Sequence, residues 1–307
     1  MRYDSSHARA LPAGASRGLF SQIARMYPNG DDIALIDWDP AWSETVWDAR
    51  LDRRLDAFSF DVIHACARPA LLNLALDAVL LQRVADGRRP PTLWIWDWFE
   101  RAVIIGSYQS VSDTVDTAVA SEHGFAIARR ISGGGAMVVE PDRTLTYSLL
   151  VPESAVDGLS FVQSFAFLDR WLVRALRSLG VPATYRPIND IASPTAKIGG
   201  AAQCRRKRTV LHHATLAWDL DGALMSALLR HGQPAANPKG VPSAEKRVSP
   251  LSLYTDLSRQ RVLDWLPKAF ARMYQTHESD FTPGEIDDAR RLIDEKFGTR
   301  DWLHRVT

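Results

Sequence analysis

Apolar positions along this chain follow two periods, and the alternation between them predicts a mixture of helices and strands from about Phe60 onward. From Ala70 to Ala85 leucine and alanine recur with helical spacing, and the run gives way to Gly87 and Pro90-Pro91, a helix stop. Thr92-Leu93-Trp94-Ile95-Trp96 and Ala102-Val103-Ile104-Ile105-Gly106 have the β-branched and aromatic content of strands, the second ending on a glycine that could face a ligand. Phe165, Leu168, Trp171, Leu172, Ala175, Leu176 and Leu179 form one apolar helix face, closed by Gly180 with Pro182 beyond it. Phe125–Ala128 and Leu145–Val151 read as further strands. Alone, this pattern supports an α+β class. Residues 1–60 show no clear period. Arg, Ser and Ala dominate the first twenty residues, and Trp38, Trp42 and Trp47 follow among acids and arginines, so the stretch is expected to be an N-terminal extension, partly disordered or packed on the core.

Between two of the predicted strands lies Arg129-Arg130-Ile131-Ser132-Gly133-Gly134-Gly135-Ala136. Three glycines let a ligand approach bare backbone N–H groups, and two arginines offer forked donors for phosphate or carboxylate. The segment continues as Met137-Val138-Val139 rather than as a lysine and hydroxyl opening a helix, which excludes a Walker loop, and it lacks the spaced glycines of a dinucleotide fingerprint. A strand-loop-strand that handles an anion remains.

A second block runs Asn189-Asp190-Ile191, then Lys197-Ile198-Gly199-Gly200-Ala201-Ala202-Gln203-Cys204, then His212-His213-Ala214-Thr215-Leu216. In a regular strand Lys197, Gly199, Ala201 and Gln203 share one face, setting the lysine beside a low surface, while Cys204 takes the other. By the same alternation His212 and His213 point to opposite faces and cannot chelate one metal. Arg205-Arg206-Lys207-Arg208 reads as a solvated hairpin tip, and more sharply as a basic patch that steers an acidic partner.

The bulk properties add limits. The chain has 307 residues, 46% of them hydrophobic and 24% charged, with 37 Lys+Arg against 36 Asp+Glu, which gives no global pull toward nucleic acid or an acidic membrane. No apolar run reaches the ~18 residues of a membrane span. Two cysteines, Cys66 and Cys204, suit a reducing compartment, so the cytoplasm is expected.

Taken together, Arg129-Arg130 through Gly135, Leu145-Thr146-Tyr147-Ser148, Asn189-Asp190, Lys197-Ile198-Gly199-Gly200-Ala201, His212-His213-Ala214-Thr215-Leu216, Ser243 with Arg247-Val248, and Lys296-Phe297 with Trp302 resemble the lipoate-protein ligase and octanoyltransferase family, whose fold group includes biotin-protein ligases. The resemblance implies a catalytic domain over 61–307 with a mixed, mostly antiparallel sheet flanked by helices. It implies no C-terminal accessory domain, so the enzyme is expected either to work with a separate accessory protein or to stop at a partial reaction. The implied activity is that of a lipoate-protein ligase: lipoate (or octanoate) and ATP with magnesium give an acyl-adenylate, and the acyl group passes to a lysine of a lipoyl domain. The acceptor would be a 2-oxoacid dehydrogenase E2 subunit or glycine cleavage H protein. Lys197 would be the catalytic residue. Arg129, Arg130, Ser132, Gly133, Gly134, Gly135, Ala136, Ser148, Asn189, Asp190, Gly199, Gly200, Ala201, His213 and Thr215 would bind substrate and nucleotide, with Asp190 as a magnesium or ribose contact.

Two alternatives follow from the same resemblance. An ATP-independent octanoyl or lipoyl transferase would need a nucleophilic thiol, which in such enzymes resembles a residue where this chain has Val210 or one in the loop where it has Tyr185-Arg186-Pro187-Ile188; neither place holds cysteine. A non-catalytic relative would bind lipoate, biotin or a nucleotide without turnover. The chain departs from the family pattern at Ala214, where glycine is usual, and in Glu140-Pro141-Asp142-Arg143-Thr144.

Overall fold

The computed structural model describes residues 53–230 and 248–306. The N-terminal extension lies almost wholly outside the described residues, as do Ser243 and Arg247. Twelve strands carry the architecture: β1 Ser59–Ile63, β2 Ala67–Arg68, β3 Thr92–Trp98, β4 Ala102–Ile105, β5 Ala126–Arg129, β6 Met137–Val139, β7 Thr144–Pro152, β8 Thr184–Arg186, β9 Asp190–Ala192, β10 Lys197–Arg206, β11 Thr209–Ala217 and β12 Gln275–Ser279. Nine belong to one sheet in the order β12-β1-β3-β7-β11-β10-β9-β8, with β2 beside β3; β5-β4-β6 form a separate small sheet. From β3 through β8 every neighbour along this order is antiparallel, and parallel pairs sit at the β12-β1-β3 end. The α+β class with a mixed, mostly antiparallel sheet is therefore observed.

Helices cover both faces of the large sheet. We name the five that matter for the site α1 Ala70–Ala85, α2 Phe161–Arg177, α3 Arg259–Ala271, α4 Pro283–Leu292 and α5 Arg300–Leu303. α1 forms over the residues its periodicity predicts, and α2 starts at a capping box in which Ser160 and Gln163 satisfy each other's backbone N–H groups. Phe165, Leu168, Trp171, Leu172 and Leu176 of α2 pack on Leu145, Tyr147 and Leu149 of β7 and on α3, making the first core. Each such buried side chain contributes about 1.5–3 kcal/mol. α1 packs on the opposite face, with Leu74, Leu76 and Leu80 against Trp94, Trp96, Leu150 and Leu211, and α4 closes that layer through Ala289. Hence β7, β10 and β11 carry a core face under α2 and a second face under α1, and the chemistry gathers on the second.

One irregularity decides which residues share that second face. Between Lys197 and Gly199 the register of β10 shifts against β9, two residues opposing one, as in a β-bulge. The bulge resets the alternation. Gly199 and Ala201 belong to the core face, where a Cβ on Gly199 would collide with Leu216, and Gln203 bonds to Ser164 and His212 there. Lys197 instead shares its face with Gly200 and Ala202, and Cys204 follows them. The parity expected for a regular strand is thus corrected for Lys197, Gly199, Ala201, Gln203 and Cys204 alike.

Candidate active site

Lys197 stands at the start of β10 with its ammonium folded over Gly200. Asp190 of β9 holds the ammonium, Oδ1 to Nζ 2.8 Å, and the carboxylate is buried while the lysine keeps partial exposure. A Cβ on Gly200 would sit 2.7 Å from that Nζ, so any larger residue would displace the ammonium from its place over the strand. Asp190 comes opposite Gly200 through the β9-β10 ladder, and Asn189 fixes the hairpin by accepting the Ala201 N–H on its own carbonyl and donating its amide to the Ala201 carbonyl. Asn189 therefore shapes the backbone that presents Lys197.

The glycine loop lies one rung further along. A Cβ on Gly134 would touch the Ala202 methyl at 3.8 Å, so the loop meets β10 two residues beyond Gly200, a step of ~7 Å along a strand. Gly134 has φ +86°, a conformation that favours glycine. The two arginines do not extend into solvent beside it. Arg130 is 3% exposed; it donates to the carbonyl oxygens of Ile104 (3.1 Å), Gly133 (2.6 Å) and Gly135 (2.7 Å) and to Ser132 Oγ (2.9 Å). Arg129, 0% exposed, donates to the carbonyls of Gly106, Ser107, Gln109 and Leu303. Burial draws both guanidiniums down to about 10, Arg305 adding to the effect at Arg129, so both remain cationic at neutral pH. The expectation that they offer open forks to an anion is corrected: their donors meet backbone carbonyls.

That arrangement also orients the peptides of the loop. In a trans peptide C=O and N–H point in opposite directions. Because Arg130 pulls the Gly133 carbonyl inward, the N–H of Gly134 is turned away from the guanidinium, and the same holds for the peptide after Gly135. The cation adds its field to the backbone of the loop. Gly106 is needed for the same packing: a Cβ there would collide with the Gly134 carbonyl, so this glycine admits the loop backbone rather than a ligand.

Behind the loop runs a buried polar chain. His213 of β11 places Nε2 2.7 Å from Ser132 Oγ and Nδ1 2.8 Å from Asp77 Oδ2 on α1. Arginine can only donate, so Ser132 accepts from Arg130 and passes its own hydroxyl proton to Nε2, leaving Nδ1–H to donate to Asp77. Burial lowers the His213 pKa against the pull of Asp77, and burial raises that of Asp77 against the pull of His213 and the Ser148 hydroxyl. Ser148 also accepts the Trp96 indole N–H at 3.0 Å. Thr215 is paired with Thr146 at 2.9 Å and contacts Met137, whose strand follows Ala136 out of the loop.

Other expected features fall elsewhere. His212 faces the core, bonded to Asp169, Tyr147 and Gln203, which fits the opposite-face reading of the two histidines. Cys204 is on the Lys197 face, yet several residues along β10, on the order of 20 Å at ~3.3 Å per residue, and burial raises its thiol pKa. Among the described residues no group of three His, Cys, Asp or Glu could hold a metal, and Asp190 already faces an ammonium. No described helix is long and apolar enough to cross a membrane. Arg143 donates to the Asp219 carbonyl in an exposed loop. The basic hairpin tip turns through Lys207 and Arg208 at positive φ, at the far end of β10 from Lys197. Asp77 was not anticipated. Its signal was available, since Asn73 and Asp77 stand four apart as the polar residues of the apolar run 70–81.

A mixed sheet with a lysine-carboxylate pair at the start of one strand, and a glycine loop backed by a buried arginine against the same strand, defines the site region. The chain belongs to the family described as the lipoyl protein ligase A/B catalytic domain, which matches residues 69–271. It is 27% identical over 272 residues to octanoyltransferase LipM of Kyrpidia tusciae, covering 80% of this chain and 98% of that one. It is 28% identical over 243 residues to lipoate-protein ligase A subunit 1 of Thermoplasma acidophilum, covering 75% and 90%. Among solved structures, a lipoate-protein ligase A bound with ATP superposes with TM-score 0.68 at 26% identity, covering 81% of this chain and all of that one. The bipartite lipoate protein ligase of Thermoplasma acidophilum, solved with its E2 lipoyl domain as an archaeal lipoylation system, gives TM-score 0.68 at 27% identity, covering 81% and 97%.

Proposed function

We propose that this enzyme is an ATP-dependent lipoate-protein ligase. A carboxylate oxygen of lipoate or octanoate attacks the α-phosphorus of ATP and pyrophosphate leaves; the amine of an acceptor lysine then attacks the acyl carbonyl and AMP leaves. The observation that carries this reading is Lys197, held by Asp190 over Gly200, on the same strand whose Ala202 meets the glycine loop, with Cys204 buried farther along that strand. The ammonium, held by Asp190, would lie against the acyl carbonyl and the adenylate phosphate. The amide turned outward at Gly134, backed by Arg130, would receive phosphate or carboxylate oxygens. Charge that develops in both steps then meets donors fixed before the reaction begins. Magnesium would enter on the nucleotide's phosphates, since Asp190 is engaged by Lys197.

The relatives named as ligases support the reading, and the likeness to an ATP-bound structure supports the nucleotide. A lipoyl domain of an E2 subunit or H protein would be the acceptor, and a bipartite relative solved with its E2 lipoyl domain supports an accessory protein; the catalytic domain would span 61–307 and work in the cytoplasm. Similarity to octanoyltransferase LipM favours a second reading, acyl transfer without ATP. Pyrophosphate release separates the two. Purified enzyme should release pyrophosphate with lipoate and ATP; transfer from octanoyl carrier protein without ATP would overturn the ligase reading, and binding of lipoyl-adenylate without turnover would make the protein a sensor.

A further inference from the structure

We propose that Asp77 is a positioning residue for this site, acting through His213 and Ser132 on the glycine loop. The proposal rests on the loop's part in the reading above but not on the choice between ligase and transferase. The chain of contacts crosses three elements: Asp77 on α1, His213 on β11 at 2.8 Å, Ser132 at 2.7 Å, and Arg130 at 2.9 Å, which donates through one terminal nitrogen to the Gly133 and Gly135 carbonyls and through the other to Ile104. Every member is nearly inaccessible, at 1% for Asp77, 5% for His213, 1% for Ser132 and 3% for Arg130.

The direction of the protons makes Asp77 the determining end. With Asp77 accepting from Nδ1, Nε2 must be the accepting nitrogen, so the Ser132 hydroxyl points to His213 and its lone pair is presented to Arg130. Without that carboxylate the imidazole can carry its proton on Nε2. Ser132 would then receive two donors, its own hydroxyl proton would need a new acceptor, and the Arg130 fork that sets the peptide planes of the loop would lose its anchor.

Ser132, His213 and Asp77 have the contact order and distances of a nucleophilic triad, but the setting differs. Ser132 Oγ is sealed from the groove and accepts an arginine N–H, while a nucleophilic serine must be open to an acyl carbon. The geometry thus assigns the triad-like chain to loop orientation instead of covalent catalysis.

The test compares Asp77→Ala, Asp77→Asn and Ser132→Ala in the full chain. Asparagine can still accept from Nδ1–H, whereas alanine cannot. Asp77→Ala should lower kcat/KM for the acyl substrate at least tenfold and move the amide resonances of Gly133, Gly134 and Gly135, and Asp77→Asn should restore both to within about threefold of the original rate and to the original shifts. Unchanged glycine amides and unchanged kcat/KM in folded Asp77→Ala would overturn the proposal. If that variant fails to fold, Ser132→Ala cuts the chain from the loop side: it should lose rate while the Nδ1–H resonance of His213 persists, and full activity would overturn the proposal. An acyl group trapped on Ser132 would also overturn it. Absence of pyrophosphate release by the unaltered enzyme would sink the ligase reading alone, because the glycine amide shifts are read without turnover.

Discussion

Two adjacent histidines, one residue apart on β11, each hold a buried aspartate, and they do different work. His212 reaches Asp169 on α2 at 2.8 Å, with Tyr147 beside it and Gln203 continuing to Ser164 among aromatic rings of the core. His213 reaches Asp77 on α1 at the same 2.8 Å, but its other nitrogen continues to Ser132 and the glycine loop. The pairs are alike in chemistry and burial. What separates them is where the second nitrogen leads: His212 stays among side chains of the α2 face through Gln203, while His213 joins α1 to the glycine loop. Strand alternation alone put one pair on each face.

Substitutions should divide along that line. The largest effect is expected on the site face: Lys197→Ala should cut pyrophosphate release with lipoate and ATP on the order of 10³-fold, with a Tm within about 3 °C of the original. His212→Ala should do the reverse. It strands Asp169 in the core and should cost about 3 kcal/mol in a denaturation curve, with kcat of the remaining folded protein little changed. If it removed activity without loss of stability, the contrast between the faces would fail.

Smaller changes sharpen the same contrast. Gly200→Ala pushes a methyl to 2.7 Å from the Lys197 ammonium, and a drop of about 10–100-fold in kcat is expected, measured beside an unchanged helical circular dichroism signal. Cys204 shares the face of Lys197 but not its chemistry. Burial raises its thiol pKa above the ordinary 9.0, so at pH 8 it should stay protonated and react with iodoacetamide at least ~10-fold more slowly than exposed Cys66, by peptide mass mapping. The smallest expected signal is the titration of His213. Its pKa is lowered from 6.5, so its imidazole should still be neutral at pH 6.5, where an ordinary histidine is half protonated, by nitrogen NMR. The stability tied to neutral His213 is then complete above that pH and lost as the pH falls through the lower value of the folded protein.

How much of this could be read beforehand depended on whether a feature was local. α1 was legible over its whole length because its period and its Gly and Pro stop lie within twenty residues. The small sheet was not: Met137–Val139 is three residues long and finds its partner in Ala102–Ile105, far back along the chain. The two arginines were visible as cations, but their inward direction depends on carbonyls from Ile104, Gly106 and Leu303, which no local pattern supplies. Lys197 was placed beside its low surface for a partly wrong reason. A parity argument assumes a regular ladder, and the bulge gives the lysine Gly200 and Ala202 as neighbours instead of Gly199 and Ala201.

Arg129 also sets an order in time. Its guanidinium bonds to the Leu303 carbonyl, and the Trp302 indole N–H donates back to the Arg129 carbonyl at 2.9 Å. On the ribosome those partners emerge 174 residues after the arginine, roughly 10–35 s later at the usual pace of synthesis. The glycine loop is therefore made before half the chain exists and fastened only when the α5 segment arrives, so a shortened product ending before Trp302 would carry every residue of the loop with its base unsecured.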